Sequence, residues 1–226
     1  MNQIIADIKG GLIVSCQAYI GEPMRHPETM AQMARAAELG GAVAIRCQGL
    51  SDIAAIKGRV EVPVIGLWKE GHEGVYITPT LRHAIACVNA GADIVALDAT
   101  GRPRPDGRTF EQTVKELREA TDTLVMADCA TIEDIRRSVA AGCDLVSTTL
   151  SHGSNAIDCG MADGPDLPLL RQAVAEFPDT PIICEGRVHT PDDAAAALAA
   201  GAWAVVAGTA ITHPTSITSW FVAALQ

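Results

Sequence analysis

Short apolar runs of strand length alternate with longer amphipathic or alanine-rich segments along the chain. This alternation is typical of βα units that follow one another and feed a parallel sheet. The apolar runs cover residues 12–17, 42–46, 62–69, 94–98, 123–128, 145–149, 181–185 and 204–208. Because eight parallel strands close on themselves, the pattern predicts a single (β/α)8 TIM-barrel domain over residues 1–226.

A small-residue motif recurs at the start of each even-numbered run and supports closure. In each copy a glycine ends a helix, where it is favoured by its left-handed backbone conformation, and the next residues open a strand. The first three copies follow one another at intervals of about fifty residues, the length of two βα units. The four copies are Leu39-Gly40-Gly41-Ala42, Ala90-Gly91-Ala92-Asp93, Ala141-Gly142-Cys143-Asp144 and Ala200-Gly201-Ala202-Trp203.

Other local signals mark helix starts and one long loop. Thr131 and Thr190 each precede a helical segment with an acidic residue three positions on, as N-caps do. Residues 151–168 are rich in Gly, Ser, Asn, Asp and Pro and form the longest predicted irregular stretch, directly after the sixth strand.

Composition and charge exclude several classes of partner. A hydrophobic fraction of 48% with only 4% aromatic residues indicates an aliphatic core, and a net charge of −10 argues against nucleic acid. Since no apolar stretch approaches the roughly 18 residues of a membrane span, we expect no membrane partner. The seven cysteines are odd in number and form no C-x-x-C pair, which favours reduced thiols and a cytoplasmic location.

Candidate chemistry lies at the ends of the predicted strands, where enzymes of this fold build their active sites. Polar residues stand there after apolar runs: Gln17, Arg46, Lys69, Asp98, Asp128, Thr148 with Thr149, and Glu185. Lys69 and Glu185 are the strongest candidates for acid–base work. For three of the others a structural role remains open. Arg46 could pair with Glu38 or Asp98, and Asp98 and Asp128 could accept N–H bonds from their own loops.

Glycines after the seventh and eighth strands suggest a phosphate site. Glu185-Gly186-Arg187 and Ala207-Gly208-Thr209 place backbone N–H groups where a ligand can approach closely, and a short helix can begin at Thr209. These strands carry the phosphate site in many barrels of this fold. We therefore expect Gly186, Arg187, Gly208 and Thr209 to bind phosphate.

The sequence lacks the residues that several other reactions require. The sixth strand has no lysine for a Schiff base, so an aldolase of that kind is not expected. The six histidines show no H-x-H or H-E-x-x-H spacing, so a metal hydrolase is not indicated. The absence of an Asp-x-Lys pair weakens a decarboxylase. The alternatives left by the residues are a phosphosugar isomerase, epimerase or decarboxylase, and a non-catalytic barrel that binds a phosphosugar.

The chain also resembles a known family, the N-acetylmannosamine-6-phosphate 2-epimerases of bacterial sialic acid catabolism. The resemblance extends over nearly the whole length. It is carried by the segments SCQ (15–17), GAVAIR (41–46), PVIGLWK (63–69), IVALDAT (94–100), MAD (126–128), STTL (147–150), EGRVHTP (185–191) and GTAIT (208–212).

The resemblance implies interconversion of N-acetylmannosamine 6-phosphate and N-acetylglucosamine 6-phosphate, with Lys69 and Glu185 as the catalytic pair. Gln17, Arg46, Asp98 and Asp128 would hold the sugar and its acetamido group, and we add Thr148 as a further substrate contact. Members of the family need no metal or organic cofactor and are commonly homodimers. Inverting carbon 2 requires removal of a proton next to an aldehyde, so a base, an acid and fixed positive charge are needed.

Overall fold

The computed structural model describes residues 2–71, 73–151 and 164–226, and its strands form a closed parallel barrel. Each strand pairs with the next, and β1 pairs with β8. This confirms the predicted (β/α)8 architecture. The strands are β1 (Leu12–Cys16), β2 (Ala44–Gln48), β3 (Val64–Leu67), β4 (Ile94–Asp98), β5 (Leu124–Asp128), β6 (Leu145–Ser147), β7 (Ile182–Glu185) and β8 (Ala204–Ala207).

Helices alternate with the strands and form the outer layer. In the described part of the chain they are α1 (Gln3–Asp7), α2 (Pro27–Leu39), α3 (Leu50–Lys57), α4 (Leu81–Asn89), α5 (Phe110–Ala120), α6 (Ile132–Ala140), α7 (Leu167–Glu176), α8 (Pro191–Ala199), α9 (Thr209–Thr212) and α10 (Pro214–Ala223). Thr131 and Thr190 form capping boxes with Asp134 and Asp193, as predicted. The short helix predicted at Thr209 is also present.

The core has two layers because side chains alternate along each strand. Ile13, Ile65 and Ile94 fill the barrel interior, whereas Val14, Val64 and Val95 pack against the helices. A Cβ atom at Gly66 would lie 2.9 Å from Ile53 Cδ1 of α3 and 2.7 Å from the Ala92 Cβ atom, so a glycine lets α3 and the turn before β4 approach β3.

Helix α1 covers the N-terminal end of the barrel. Ile5 and Ile8 are buried against the inner layer, and the indole N–H of Trp203 donates to the Ile5 carbonyl at 2.8 Å. Because this end is covered, the functional cavity lies at the other end, where the strands finish.

Some predicted boundaries were wrong. Strand β2 continues to Gln48, so Arg46 lies within the strand, and β3 ends at Leu67, before Lys69. In the first glycine motif Gly41, with φ +97°, takes the left-handed conformation, whereas Gly40 is right-handed. Two glycines in a row do not reveal which one turns the chain.

The predicted loop over residues 151–168 falls mostly on residues 152–163, which lie outside the described residues, and α7 already begins at Leu167. Within the described ranges, no helix has both the length and the apolar character needed to cross a membrane.

Candidate active site

The main cavity opens at the C-terminal end of the strands and measures about 1000 Å³ with its mouth included. Of the residues predicted from the sequence, the cavity is lined by Gln17, Arg46, Lys69, Glu185, Gly186, Arg187, Gly208 and Thr209. The structure therefore brings together eight of the eleven predicted positions.

A buried charge network forms one side of this cavity. Arg46 donates through Nη2 to Asp128 Oδ2 at 2.6 Å, and its Nε lies 3.2 Å from Glu185 Oε1. The side chains of Arg46 and Asp128 are 1% and 0% exposed, and that of Glu185 is 12% exposed. Arg46 thus pairs with Asp128 and Glu185, and not with Glu38 or Asp98. We call Arg46, Lys69, Asp128 and Glu185 the acid–base wall.

Thr149, rather than Thr148, reaches this wall. The Thr149 hydroxyl lies 2.9 Å from Asp128 Oδ1 and 3.0 Å from Glu185 Oε2. Thr148 instead bonds to the backbone of Glu185, donating to its carbonyl at 2.9 Å and accepting from its N–H at 3.1 Å. The structure therefore gives the predicted substrate contact Thr148 a place behind the wall, because neighbouring residues of an extended chain face opposite sides.

Lys69 lies just beyond β3, in a short hairpin that folds over the cavity. Lys69 forms an isolated antiparallel bridge with Ile77, and the Trp68 carbonyl accepts from Thr78 N–H at 2.8 Å. Its Nζ lies 5.4 Å from the centre of the Tyr19 ring. Burial and the nearby Arg46 lower the pKa of Lys69 to about 8, although Glu185 and Asp128 act in the opposite direction.

Two further contacts fix this hairpin. The buried Arg104 donates to the Pro79 carbonyl at 3.0 Å and also to the Asp98 carbonyl. On the other side, the Glu70 carboxylate lies 2.9 Å from His83 Nε2, and the Trp68 ring lies 4.4 Å from the His83 ring. Lys69 is therefore held between two anchored neighbours, which limits the conformations available to its backbone.

The pKa of Glu185 is shifted in the opposite direction to that of Lys69. Burial raises the pKa of Glu185 to about 7, with Asp128 adding to the effect and Arg46 opposing it. Both groups therefore titrate near neutral pH, so each can gain or lose a proton during a reaction cycle.

The other end of the cavity is formed by backbone after β7 and β8. Gly186 and Arg187 have positive φ values of +103° and +56°. Gly208 is the N-cap of α9, whose first N–H groups have no intrahelical acceptor. Arg187 donates to the carbonyls of Gly164 at 2.8 Å and Ser151 at 3.0 Å. These bonds use two of the five guanidinium N–H groups. We call residues 186–187 and 208–209 the phosphate turns.

Gln17 lies in the same cavity. Its Nε2 donates to Ser15 Oγ at 2.9 Å, and its buried Oε1 has no hydrogen-bond partner among the described residues. A buried acceptor without a partner is costly, so this oxygen is suited to a ligand donor.

Three cavity residues were missed by the sequence reasoning. Tyr19, Tyr76 and His189 line the cavity, and the first two are the only tyrosines of the sequence. Burial raises the pKa of both tyrosines, so they remain hydroxyl donors. Each lies in a loop beyond the end of a strand, whereas the sequence analysis considered only the last residues of each predicted strand.

Asp98 differs from the other strand-end acids. Its carboxylate accepts from Thr100 N–H at 2.9 Å and Arg102 Nη2 at 2.6 Å, and it lies outside the cavity lining. This geometry matches the structural alternative. Among the described residues, no group of His, Cys, Asp and Glu could hold a metal ion.

Comparison with known proteins gives a consistent result. A family model described as "Putative N-acetylmannosamine-6-phosphate epimerase" matches residues 30–226. A relative from Cutibacterium acnes with the name "Putative N-acetylmannosamine-6-phosphate 2-epimerase" is 57% identical and is aligned over 100% of this chain and 98% of its own length. A second relative so named, from Caldanaerobacter subterraneus subsp. tengcongensis, is 49% identical over 97% of this chain and 92% of its own.

A solved structure extends the similarity to three dimensions. The N-acetylmannosamine-6-phosphate 2-epimerase from Clostridium perfringens superposes with a TM-score of 0.90 at 38% identity, covering 99% of this chain and 96% of that one. The sequence matches and the shared barrel agree, and the chain belongs to the N-acetylmannosamine-6-phosphate epimerase family.

Proposed function

We propose that this chain interconverts N-acetylmannosamine 6-phosphate and N-acetylglucosamine 6-phosphate by moving the proton on carbon 2. Membership of the epimerase family makes the chain an isomerase and favours this activity over a decarboxylase or a non-catalytic barrel. The observation that carries the mechanism is the pairing, in one cavity, of Lys69 with a pKa lowered to about 8 and Glu185 with a pKa raised to about 7.

The reaction begins with the open-chain form of the sugar. Lys69 in its neutral form removes the proton from carbon 2, and the electron pair of the broken C–H bond moves toward the carbon 1 aldehyde to give an enolate. Glu185 in its protonated form supplies a proton to the developing oxyanion or assists ring opening. General acid–base catalysis of this kind contributes about 10²–10⁴-fold. The intermediate then turns the opposite face of carbon 2 toward Lys69, whose ammonium group returns a proton to that carbon while Glu185 recovers its own proton, and the epimer results.

Other residues near the catalytic pair hold it in position or stabilise the charge that develops on the substrate. Arg46 holds Glu185 and Asp128 in place and supplies fixed positive charge near the enolate. Gln17 offers its unpartnered oxygen to a sugar hydroxyl. The contributions of Asp98 and Thr148 to substrate binding are then indirect: Asp98 orders the loop after β4, and Thr148 fixes the backbone of Glu185.

The phosphate binds at the phosphate turns in this proposal. Backbone N–H groups at Gly186, Arg187, Gly208 and Thr209 are suited to an anion, and the helix dipole of α9 adds a small favourable contribution. A phosphate bound at the opposite end of the cavity, beside β1–β3, would contradict this placement.

The direct test is turnover. Incubating the purified protein with N-acetylmannosamine 6-phosphate should produce the glucosamine epimer, detected by ¹H NMR at the anomeric and carbon 2 positions. Activity should survive exhaustive chelation because the chemistry needs only an acid–base pair. Absence of turnover would contradict the function, and loss of turnover that is restored by a divalent ion would contradict the cofactor-free mechanism.

We further propose a cytoplasmic homodimer whose partner molecule is the phosphorylated amino sugar. The C-terminal helix α10 supports association: none of its residues is buried, and Phe221 is 71% exposed. The six described cysteines are free thiols, as is usual in a reducing compartment. Light scattering coupled to size-exclusion chromatography tests the dimer directly.

A further inference from the structure

His83 is a buried polar residue that the proposed mechanism does not use. It is the third residue of α4, and its side chain is 2% exposed. A polar ring in such a place is unfavourable unless both of its nitrogens find partners. Here Nδ1 lies 2.7 Å from Thr80 Oγ1, and Nε2 lies 2.9 Å from Glu70 Oε2. The imidazole therefore links α4 to the hairpin that carries Lys69.

The Glu70 carboxylate fixes the roles of the two ring nitrogens. Because a carboxylate oxygen only accepts, Nε2 carries the hydrogen of that bond, and in the neutral ring Nδ1 accepts from the Thr80 hydroxyl. Burial lowers the pKa of His83. Arg82 acts in the same direction, whereas Glu70 and Asp106 oppose it. The ring is therefore neutral at pH 7 and uses one donor and one acceptor.

The same ring packs against the residue on the other side of Lys69. The centre of the Trp68 ring lies 4.4 Å from that of His83, with an angle of 55° between the planes. Arg82, the neighbour of His83 in α4, lies 5.5 Å from the centre of the Trp68 ring and 3.4 Å from Glu70 Oε2. Helix α4 thus contacts both the residue before Lys69 and the residue after it.

Lys69 itself faces away from α4. Successive side chains of an extended segment point to opposite sides, so Trp68 and Glu70 lie on one side and Lys69 lies on the other, where it lines the main cavity. Backbone bonds keep the segment extended: the Trp68 carbonyl accepts from Thr78 N–H at 2.8 Å, and Glu70 N–H donates to the opposite arm at 3.0 Å. The contacts of His83 hold the back of this segment.

We propose that His83 is a positioning residue for Lys69: by holding both chain neighbours of Lys69, it fixes where the amine stands in the main cavity. The inference rests on the proposed function, in which that amine exchanges the proton on carbon 2. Displacing a reacting group by about 1 Å can lower a rate about 10²-fold. A residue that does not touch the substrate therefore has a large effect on kcat.

The pKa of Lys69 reports its position without any turnover. Burial and Arg46 hold this pKa at about 8, so an amine released from its place should titrate closer to the ordinary value of a lysine. His83→Leu keeps a buried apolar side chain and removes both nitrogens, and the Lys69 pKa should rise. The pKa is measured by ¹³C NMR on protein labelled at lysine Cε, with the Lys69 signal assigned by its loss in Lys69→Arg. The four lysines of the sequence are Lys9, Lys57, Lys69 and Lys115.

Kinetic constants give a second readout. In His83→Leu kcat should fall about 10²-fold because the amine is displaced, while KM stays within about threefold because the phosphate turns are untouched. His83→Gln retains an N–H for Glu70 and an acceptor for Thr80, so its kcat should be about tenfold higher than that of His83→Leu. The lost ring contact with Trp68 accounts for the remaining difference from wild type.

Glu70→Leu provides a test if His83→Leu does not fold, because Glu70 is 53% exposed. It should raise the Lys69 pKa and lower kcat, each by less than His83→Leu does. Removing a negative charge would by itself lower the Lys69 pKa, so a rise reports displacement of the amine. The matched controls are Ser138→Ala, which removes a buried hydroxyl from α6, and Glu119→Leu, at a residue of α5 that is 65% exposed. Among the described residues neither bonds to the hairpin, so neither variant should change the two readouts.

A Lys69 pKa that stays at about 8 in every folded variant of His83 and Glu70 would overturn the inference. A kcat within about twofold of wild type in these variants would do the same. Turnover by the wild-type protein is measured in parallel. Its absence overturns the proposed function, whereas normal wild-type turnover with an unmoved Lys69 pKa in the variants overturns only the role of His83.

Discussion

The two ends of the main cavity are built from different parts of the polypeptide. The acid–base wall consists of charged side chains that point inward from or just beyond four strands, and these groups hold one another by ion pairs and mutual pKa effects. The phosphate turns consist mainly of backbone, shaped by positive φ values and by the start of α9. Chemistry and binding are thus separable, so substitutions at the two ends should affect different kinetic constants.

The largest effect is expected at the wall. Lys69→Ala should lower kcat at least about 10³-fold and abolish incorporation of deuterium at carbon 2 in D₂O, because no other group replaces the base. The dissociation constant for substrate should change little, since the phosphate turns remain. Mass spectrometry of the product after turnover in D₂O measures the exchange. Near wild-type exchange in this variant would show that Lys69 is not the base.

Arg46→Met tests how strongly the wall depends on its central cation. With Arg46 absent, Asp128 and Glu185 are buried without a partner, and the free energy of unfolding should fall by about 3–5 kcal/mol. The Arg46 charge lowers the pKa of Glu185, so the variant's Glu185 should titrate above about 7. The difference from wild type should therefore be larger at pH 8 than at pH 5, where Glu185 is protonated.

Urea denaturation at both pH values measures this difference. Arg59→Met provides the control, because the exposed Arg59–Glu28 pair should contribute about 1 kcal/mol or less. If Arg46→Met and Arg59→Met lowered the free energy of unfolding equally, the buried ion pairs of Arg46 would contribute no more than an exposed pair.

Glu185→Gln should have an intermediate effect and a specific signature in pH. The wild-type kcat/KM should be bell-shaped with its maximum between pH 7 and 8: it rises as Lys69 loses its proton and falls as Glu185 loses its own. In the variant kcat should fall about 10²-fold and the falling limb should disappear. The Glu185 charge raises the pKa of Lys69, so its removal should lower that pKa, and the rising limb should end below about pH 8. A wild-type profile without a falling limb would remove Glu185 as the acid.

The smallest effect is expected at the phosphate turns. A methyl group at Gly208 would lie 3.2 Å from the Ser15 Cβ atom, so Gly208→Ala must displace this turn slightly. We expect KM to rise about tenfold while kcat stays within about threefold. Gly58→Ala, where the nearest contact is an ordinary 3.5 Å, should change neither. A fall in kcat with unchanged KM would contradict the separation of the two ends.

The sequence predicts cavity residues most directly where a charge interrupts an apolar run, since burying a charge is costly. Lys69, Arg46 and Glu185 were selected in this way and line the cavity, and their roles stay predictions. The sequence reasoning chose Thr148 as the substrate contact, whereas Thr149 is the residue that lines the cavity. Successive side chains of an extended chain face opposite sides, so an error of one residue selects the wrong side. The sequence reasoning also could not predict that Arg46 pairs with Asp128, which is 82 residues away. Such partners depend on the register of the closed barrel.

The loop residues were beyond prediction for a different reason. Tyr76 lines the cavity beside the bridge between Lys69 and Ile77, next to Thr78 at φ +45° and the Pro79 carbonyl that accepts from Arg104. Neither the periodicity nor the local composition of the hairpin encodes that distant anchor.

The seam between β1 and β8 has a consequence for folding kinetics. Trp203 bonds to Ile5 and Thr212 bonds to Ser15, contacts that span 198 and 197 residues. Bringing such distant segments together has an entropic cost, and proteins with many non-local contacts fold slowly. Gly208 and Thr209 follow β8 directly, so a nascent chain carries Lys69 and Glu185 before it has any complete place for an anion. The anion site can therefore form only after β8 has been synthesised.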